Sequence, residues 1–501
     1  MFANVCSATL IGIDACQVSV ESEIARGLPQ FLIVGLPDAS VNESRERVKA
    51  ALKASGFEIP LGRIVVNMAP ADLRKEGSHF DLAIAIGVLV SSEQIKPVEP
   101  FWLIGELSLN GQLKPCAGIL PIAASAKALG VKSIIVPKQN GSEAALVGGI
   151  TIYAADSLLE AVNILCDPEQ RGDFQIPTQE LNPEEFYDGR NDLKYVKGQY
   201  QAKRALEIAA AGGHNILFIG EPGGGKSMLA QCLPGIMPSL TKDQALEVTK
   251  IYSVSGLLLN SNLSMISERP FRAPHHSISG AGLIGGGSNP KPGEISLAHQ
   301  GVLFLDELAE FDKRILDNLR QPIETGKVTI SRARMAAEFP AQFLLIAACN
   351  PTSGIRKATP SRPIISAPLW DRFGLIVWLP ALKAQELVDF DPESQESSAE
   401  VRDRVKIAAL RQAERFQDEP CLNNAQMKAQ EVKRYCVLSS EAQGLLTSAV
   451  DQLKLTGRTY DHVLRTSRTI ADLSQAERIE EEHIAEAVQY RLSQESLLAT
   501  V

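Results

Sequence analysis

Residues 215–228 read Asn-Ile-Leu-Phe-Ile-Gly-Glu-Pro-Gly-Gly-Gly-Lys-Ser-Met, and this stretch decides the fold class. The apolar run from Asn215 to Ile219 predicts a buried strand, and a helix is predicted from Met228 onward. Between them, Gly220-Glu221-Pro222-Gly223-Gly224-Gly225-Lys226-Ser227 has the spacing G-x-x-x-x-G-K-S. Glycines at these places let successive backbone N–H groups turn inward around phosphate oxygens, at the positive end of the helix. Lys226 is expected to supply charge to the β and γ phosphates and the Ser227 hydroxyl to ligate Mg²⁺, so ATP and Mg²⁺ are the cofactors implied.

About eighty residues downstream, Val-Leu-Phe-Leu-Asp-Glu (302–307) is an apolar strand ending in two carboxylates. Asp306 would enter the Mg²⁺ shell and Glu307 would orient or deprotonate the attacking water. Asn350 closes the next apolar strand, Leu-Leu-Ile-Ala-Ala-Cys-Asn, and is placed to align that water. Short apolar strands alternating with helical stretches across 191–380 predict a parallel α/β sheet.

The flanking segments differ. Residues 1–165 mix strands (FLIVGLP at 31–37, RIVVNMAP at 63–70) with helices. One helix runs through SVNESRERVKAALKASG with Ser40 as N-cap and Gly56 just past its end, and FDLAIAIGVLV is a buried one. Residues 166–190 are acidic and carry Pro168, Pro177 and Pro183, which predicts a linker. Residues 381–400, with Asp389, Asp391, Glu393, Glu396 and Glu400, predict an acidic loop, and 401–501 a helical domain.

Composition narrows the class. At 501 residues, 45% hydrophobic and 22% charged, the chain has material for about three domains with cores of their own. The net charge of −9 gives no whole-molecule attraction to nucleic acid, so any such contact comes from local basic patches. Eight scattered cysteines without a CxxC pair argue against disulfides or zinc and for a reducing, cytoplasmic setting. No apolar run reaches the ~18 residues of a membrane span, and no secretory leader is expected.

The P-loop, the Asp-Glu strand, the strand-end Asn and the trailing helices resemble an AAA+ ATPase. GLPDASVNESRERVKAALKASGFEIP, VNMAPADLRKEGSHFDL, GQYQAKRALEIAAAGGHNILFIGEPGGGKS, RPFRAPHHSIS, GGGSNPKPGEISLAHQGVLFLDELAEF and RTSRTIADL together resemble the magnesium-chelatase-like ComM (YifB) competence-protein family over nearly the whole chain. That resemblance implies an N-terminal Lon-protease-like domain (ribosomal S5 domain 2-like), a central AAA+ domain with a helix-2 insert and a pre-sensor-1 hairpin, and a C-terminal helical lid. It also implies a homo-hexameric, ATP-driven helicase that branch-migrates DNA, single-stranded and branched, during natural transformation. The alternatives are a chelatase-type motor remodelling a protein partner and an ATP-gated scaffold that binds DNA without unwinding.

By the same resemblance Arg372 occupies the place of an arginine finger, and Arg458 that of the sensor-2 arginine, with Arg465 second to it. Tyr195 and Val196 match the stretch lining the adenine pocket. The insert, about 252–293, carries Arg269, Arg272 and the pair His275–His276, for which a metal role lacks a third ligand. Arg272, and Arg332 and Arg334 on the hairpin, are DNA-contact candidates, since mobile basic residues grip phosphates without reading bases. Arg45, Arg47, Arg74 and Lys75 are further candidates in the N-terminal domain.

Two departures stand out. A Lon-type nucleophile is expected where His79 stands; Ser78 is one position early, and Lys127 reads better as a helix-surface lysine than as a dyad partner, so proteolysis is not expected. Where most ComM-like chains have CPCG, this one has Thr352-Ser353-Gly354-Ile355, which argues against a metal-stabilised loop.

Overall fold

A computed structural model describes residues 2–178, 191–259, 261, 263–287, 290–332, 335–350, 366–382, 390–419 and 421–499. Strand-forming alternation at the N-terminus produces a long antiparallel hairpin, Phe2–Ile11 with Asp14–Ala25, in the register Phe2↔Glu23 to Ile11↔Asp14. It lies inside an eight-stranded mixed sheet whose order is Gln175–Ile176, Thr151–Ala155, Ser133–Pro137, Trp102–Leu103, Phe2–Ile11, Asp14–Ala25, Arg63–Ala69, Gln30–Val34. The helix Asp81–Ser91 is apolar all round and is correspondingly buried on nearly every side. The helix Ala39–Ala54 buries only Val41, Ser44, Val48, Ala51 and Leu52.

Its start corrects one expectation. Asp38, not Ser40, is the N-cap: its backbone is extended after Pro37 and its carboxylate accepts from Val41 N at 2.8 Å. Gly56 follows the helix end at φ +81°, the left-handed geometry that favours glycine.

The expected linker begins later than its composition suggests. Arg171 is buried over the Phe101 ring at 5.1 Å, and Gln175–Ile176 adds the edge strand beside Thr151–Ala155. The Arg171 guanidinium takes up Ile164 and Leu165 carbonyls, which a count of prolines and acidic residues does not reveal. Residues 179–190 lie outside the described residues, as do 383–389 of the acidic segment. Past them Glu393 pairs with Lys194 at 3.0 Å, and the Ser397/Glu400 capping box starts a helix, Ser398–Arg415, inside the segment read as a loop.

The central sheet is parallel throughout, in the order Phe271–Arg272, Val302–Leu305, Leu344–Cys349, Ile216–Gly220, Leu375–Leu379. Ile216–Gly220 and Leu344–Cys349 are buried at every residue, as a sheet covered on both faces requires. One face shares a core with the helix Tyr200–Gly212 and the C-terminal helices, among them Ser398–Arg415, Ser440–Leu453 and Gly457–Leu473. The other packs Leu303, Leu305, Leu345 and Ala347 against the hairpin Lys327–Arg332/Met335–Pro340.

The N-terminal domain sits on this second layer. Gly118 N donates to Ser253 O at 3.0 Å, at the end of the helix Lys242–Ser255, and the Ser253 hydroxyl donates to the buried Glu143 carboxylate. Gly12, at φ +64°, turns so close to the hairpin that a Cβ there would lie 2.9 Å from Glu338 O. Leu10 packs into the cores of both domains.

Candidate nucleotide site

The loop after Ile216–Gly220 turns on Gly223 (φ +84°) and Gly225 (φ +85°), and a Cβ at either would meet no atom within 4 Å. The glycines thus frame open space in front of the first turn of the helix Lys226–Ile236, the arrangement that receives phosphate. Gln199 braces this loop from behind: its Nε2 donates to Gly224 O at 3.3 Å and to Pro380 O at 2.9 Å. Sequence reading passed over it; its positive φ of 54° after Gly198 leaves no composition signal.

Lys226 Nζ donates to Gly220 O (2.6 Å), Glu221 O (2.9 Å) and Asn350 Oδ1 (2.9 Å). Burial lowers its pKa from the ordinary lysine value, against the opposing pull of Asp306. Ser227 Oγ donates to Asp306 Oδ2 at 2.8 Å. A hydroxyl and a carboxylate oxygen on adjoining elements suit Mg²⁺, which takes one or two protein oxygens and completes its shell with phosphate and water. Glu307 follows at φ +50° with its side chain 55% exposed.

His276 was not expected here. Its Nδ1 lies 3.5 Å from Glu307 Oε2, and its ring lies against that of His275, tilted by 36° with centroids 4.0 Å apart. The structure therefore brings Gly220 to Ser227, Asp306, Glu307 and Asn350 together, with one histidine of the insert beside them. Tyr195 is half-exposed on the turn Leu193–Tyr195, and Val196 is buried.

Arg372 and Arg458 stand elsewhere. Asn215, just before the P-loop strand, donates from Nδ2 to Arg372 O at 3.0 Å, and its carbonyl accepts from Gly374 N at 2.9 Å. Because Ile216 pairs with Leu375 and Gly220 with Leu379, Arg372 lies at the opening of the strands and the P-loop at their close. Five residues at ~3.3 Å each separate the two ends by about 16 Å. Arg458 joins Arg372's end: its Nη1 lies 2.8 Å from Asp371 Oδ2. Burial lowers the pKa of Arg372 from the usual arginine value, and Arg458 and Arg320 push the same way, while Glu324 pairs with its guanidinium.

The candidate DNA contacts divide. Arg272 is committed to Glu294 through two bonds of 2.6 and 2.7 Å. Arg332 pairs with Met335 at the hairpin tip; Arg334 lies outside the described residues, as does Thr352-Ser353-Gly354-Ile355. Arg269 is bound to the carbonyls of Pro238 and Gln300. In the N-terminal domain two candidates are withdrawn from solvent. Lys75 is fully buried, donating to Pro70 and Leu73 carbonyls, and Arg47 bridges to the buried Asp81 at 2.6 Å. Arg45 donates to Asn42 O, and Arg74 is exposed beside Glu76. His79 is buried with its Nε2 2.9 Å from Ala8 O, Ser78 donates to Glu106, and Lys127 binds Val147 O. Among the described residues no three His, Cys, Asp or Glu side chains gather as a metal site.

Comparison with known proteins agrees with this layout. Residues 192–387 match the profile of magnesium chelatase, subunit ChlI; residues 20–140 match a second ChlI profile and 395–491 the ChlI C-terminal profile. The chain is 42% identical to competence protein ComM of Haemophilus influenzae, over 98% of this chain and 97% of that one. It is 41% identical to the YifB protein of Escherichia coli over 96% and 95%. The magnesium-chelatase 38 kDa subunit of Cereibacter sphaeroides is 26% identical over 36% of this chain and 56% of its own. On these grounds the chain belongs to the magnesium-chelatase-like ComM and YifB family.

Proposed function

We propose that the protein is an ATPase whose subunits form a ring, a hexamer, and that it drives branch migration of DNA as a cytoplasmic helicase during natural transformation. The observation that carries this reading is the placement of Arg372 and Arg458 at the opposite end of the strands from the P-loop. Arg372 and Arg458 sit at the end of the strands away from the P-loop, about 16 Å of strand from it, and head-to-tail contact with a second copy would bring them to the next copy's site. Such a heterologous contact generates rings when the rotation closes.

The chemistry follows from the residues. Backbone N–H groups of Gly223 to Ser227 bind and orient the phosphates, and Lys226 exchanges its carbonyl partners for phosphate oxygens. Ser227 and Asp306 would hold Mg²⁺, which when bound neutralises charge on the β and γ oxygens. Glu307 takes the proton of the attacking water, Asn350 fixes that water's position, and Arg372 of the adjoining copy meets charge as it develops on the γ-phosphate.

The Haemophilus influenzae relative supports the DNA half of the reading by its name, competence protein, and the chelatase subunit supports a rival in which the motor remodels a protein partner. ATPase activity measured with and without forked and three-stranded DNA, beside strand displacement, sorts the readings. Stimulation with displacement supports the helicase. Binding without displacement supports the ATP-gated scaffold, and indifference to DNA supports the remodelling motor.

A further inference from the structure

Arg372 stands just past a helix of a single turn, Ala367–Trp370, and shortly before the strand Leu375–Leu379. Carbonyls at the end of so short a helix have no partner within it and must find one elsewhere. Three in a row do so. His462 Nε2 lies 2.9 Å from Asp371 O, Asn215 Nδ2 donates to Arg372 O at 3.0 Å, and Arg491 Nη2 donates to Phe373 O at 2.7 Å. These donors are 91, 157 and 118 residues away along the chain, so none follows from local turn geometry. A carbonyl only accepts, so His462 carries its proton on Nε2. Burial, with Arg491 and Arg465 nearby, holds its pKa well below the usual histidine value and keeps the ring neutral.

The three bonds tie this segment to two parts of the molecule. Asn215 belongs to the central sheet. Its Oδ1 accepts from Leu345 N at 2.9 Å and its carbonyl from Gly374 N at 2.9 Å and Leu375 N at 3.1 Å, so one residue gathers the openings of three neighbouring strands. Two of those strands lead at their other ends to the P-loop and to Asn350. His462 and Arg491 belong to the C-terminal helices Gly457–Leu473 and Glu481–Ala499. The Arg372 side chain is held more lightly: among the described residues its guanidinium pairs with Glu324 alone, and its Nε is buried without an acceptor. A side chain that must leave Glu324 to reach a second copy is aimed by its backbone, and the backbone is where the three bonds fall.

We propose that Asn215, His462 and Arg491 are positioning residues for Arg372, so that the C-terminal helices and the P-loop strand of one copy together set the arginine offered to the next. This rests on the reading of Arg372 given above, as a group that acts on a second copy's nucleotide. All three hold carbonyls at the end of the strands away from their own P-loop, so ATP binding is spared when they are changed.

Full-length Arg491→Met and Asn215→Asp proteins each lose the donor while keeping a side chain of similar length or shape. Both should fall about tenfold or more in kcat for ATP, the scale of a displaced reacting group, with nucleotide affinity within about twofold of wild type. Arg491→Lys, which restores a donor, should recover part of the loss. Thermal melts show which variants fold, and Asn215→Asp, which keeps the bond from Leu345 N, carries the test if Arg491→Met does not. Mixing with Glu307→Gln protein then separates positioning from general damage. A copy with an intact Glu307 and a misplaced Arg372 regains activity when its neighbour supplies the arginine; a copy whose own site is distorted does not. Recovery in verified mixed assemblies supports the inference. Wild-type kcat in the folded variants, or lost activity without recovery, overturns it while an inactive Arg372→Ala protein leaves the proposed function standing. Arg372→Ala protein hydrolysing ATP at the wild-type rate would overturn the between-copy reading, and this inference with it.

Discussion

Arg458 Nη1 lies 2.8 Å from Asp371 Oδ2, and this pair ties the first turn of the lid helix to the residue immediately before Arg372. The pair is largely exposed, so its weight in stability is small, below about 1 kcal/mol. Its weight in placement is greater, because displacing a catalytic group by about 1 Å costs up to a hundredfold in rate. Asp371→Ala should therefore leave the melting temperature nearly unchanged and lower kcat about tenfold, with KM for ATP within twofold. Steady-state kinetics beside a thermal melt checks this.

Lys226→Ala should abolish tight ATP binding, because its ammonium is the cation that Gly220 O, Glu221 O and Asn350 Oδ1 hold at the loop. Glu307→Gln should keep binding and stop hydrolysis, since its half-exposed carboxylate lies beside His276 and the amide keeps its size while losing the base. Equilibrium binding of a fluorescent nucleotide, with phosphate release measured in parallel, separates the two. Wild-type turnover by both variants would sink the site assignment.

Arg372→Ala should leave nucleotide binding intact and stop hydrolysis, because the arginine lies at the far end of the strands from its own P-loop. Mixing Arg372→Ala with Glu307→Gln protein should restore part of the activity, since some junctions then pair an intact arginine with an intact glutamate. Verified mixed assemblies without recovery would count against action between copies.

On the hairpin, Arg332→Ala with Arg334→Ala should weaken DNA binding. The salt slope of log K on single strands should fall by about 0.7 for each phosphate that the protein no longer neutralises. ATP hydrolysis without DNA should persist, because the hairpin packs on the sheet through Val328, Ile330, Ala337 and Phe339, and among the described residues it makes no bond to the P-loop. Binding measured at several salt concentrations decides; an unchanged slope with normal unwinding removes the hairpin from the mechanism.

His214 supplies a pH test. Burial, with Arg465 and Arg491 nearby, pushes its pKa down to about 3. The unfolded chain takes up this proton near pH 6.5 while the folded chain does not, so stability is present above that pH and is lost as pH falls below it. At pH 5 the loss from this group is about 2 kcal/mol. His214→Gln should lessen the fall in denaturation midpoint between pH 7 and pH 5, which chemical denaturation at the two pH values measures.

The P-loop was legible because its chemistry demands glycine, lysine and serine at fixed places within eight residues. Asp306, Glu307 and Asn350 were legible because each ends an apolar strand, and a parallel sheet delivers strand ends to one edge. What the sequence could not show depends on partners distant along the chain. Nothing local to Lys75 reports that it is buried among carbonyls, nor that Arg47 is spent on Asp81, thirty-four residues away. The pair His275–His276 was visible as a motif, but its place beside Glu307 follows from the way the insert folds back along the sheet. Asp38 took the cap from Ser40 because the chain is still extended at Asp38 and already helical at Ala39, a matter of backbone direction rather than of propensity.

Ser253 is 2% exposed, sealed between its own helix and Glu143, and Gly12 rests on the hairpin backbone. These contacts make the N-terminal domain a footing rather than a tethered passenger. The helix from which the insert departs and the hairpin behind the sheet are both seated on it, so neither travels far without carrying it along or breaking a buried carboxylate's bonds. A chain severed between the domains would not yield two finished pieces. It would yield one central domain with a raw face at Ser253 and Glu338, and one sheet whose buried Glu143 keeps Leu120 and Asn140 but has lost its third donor.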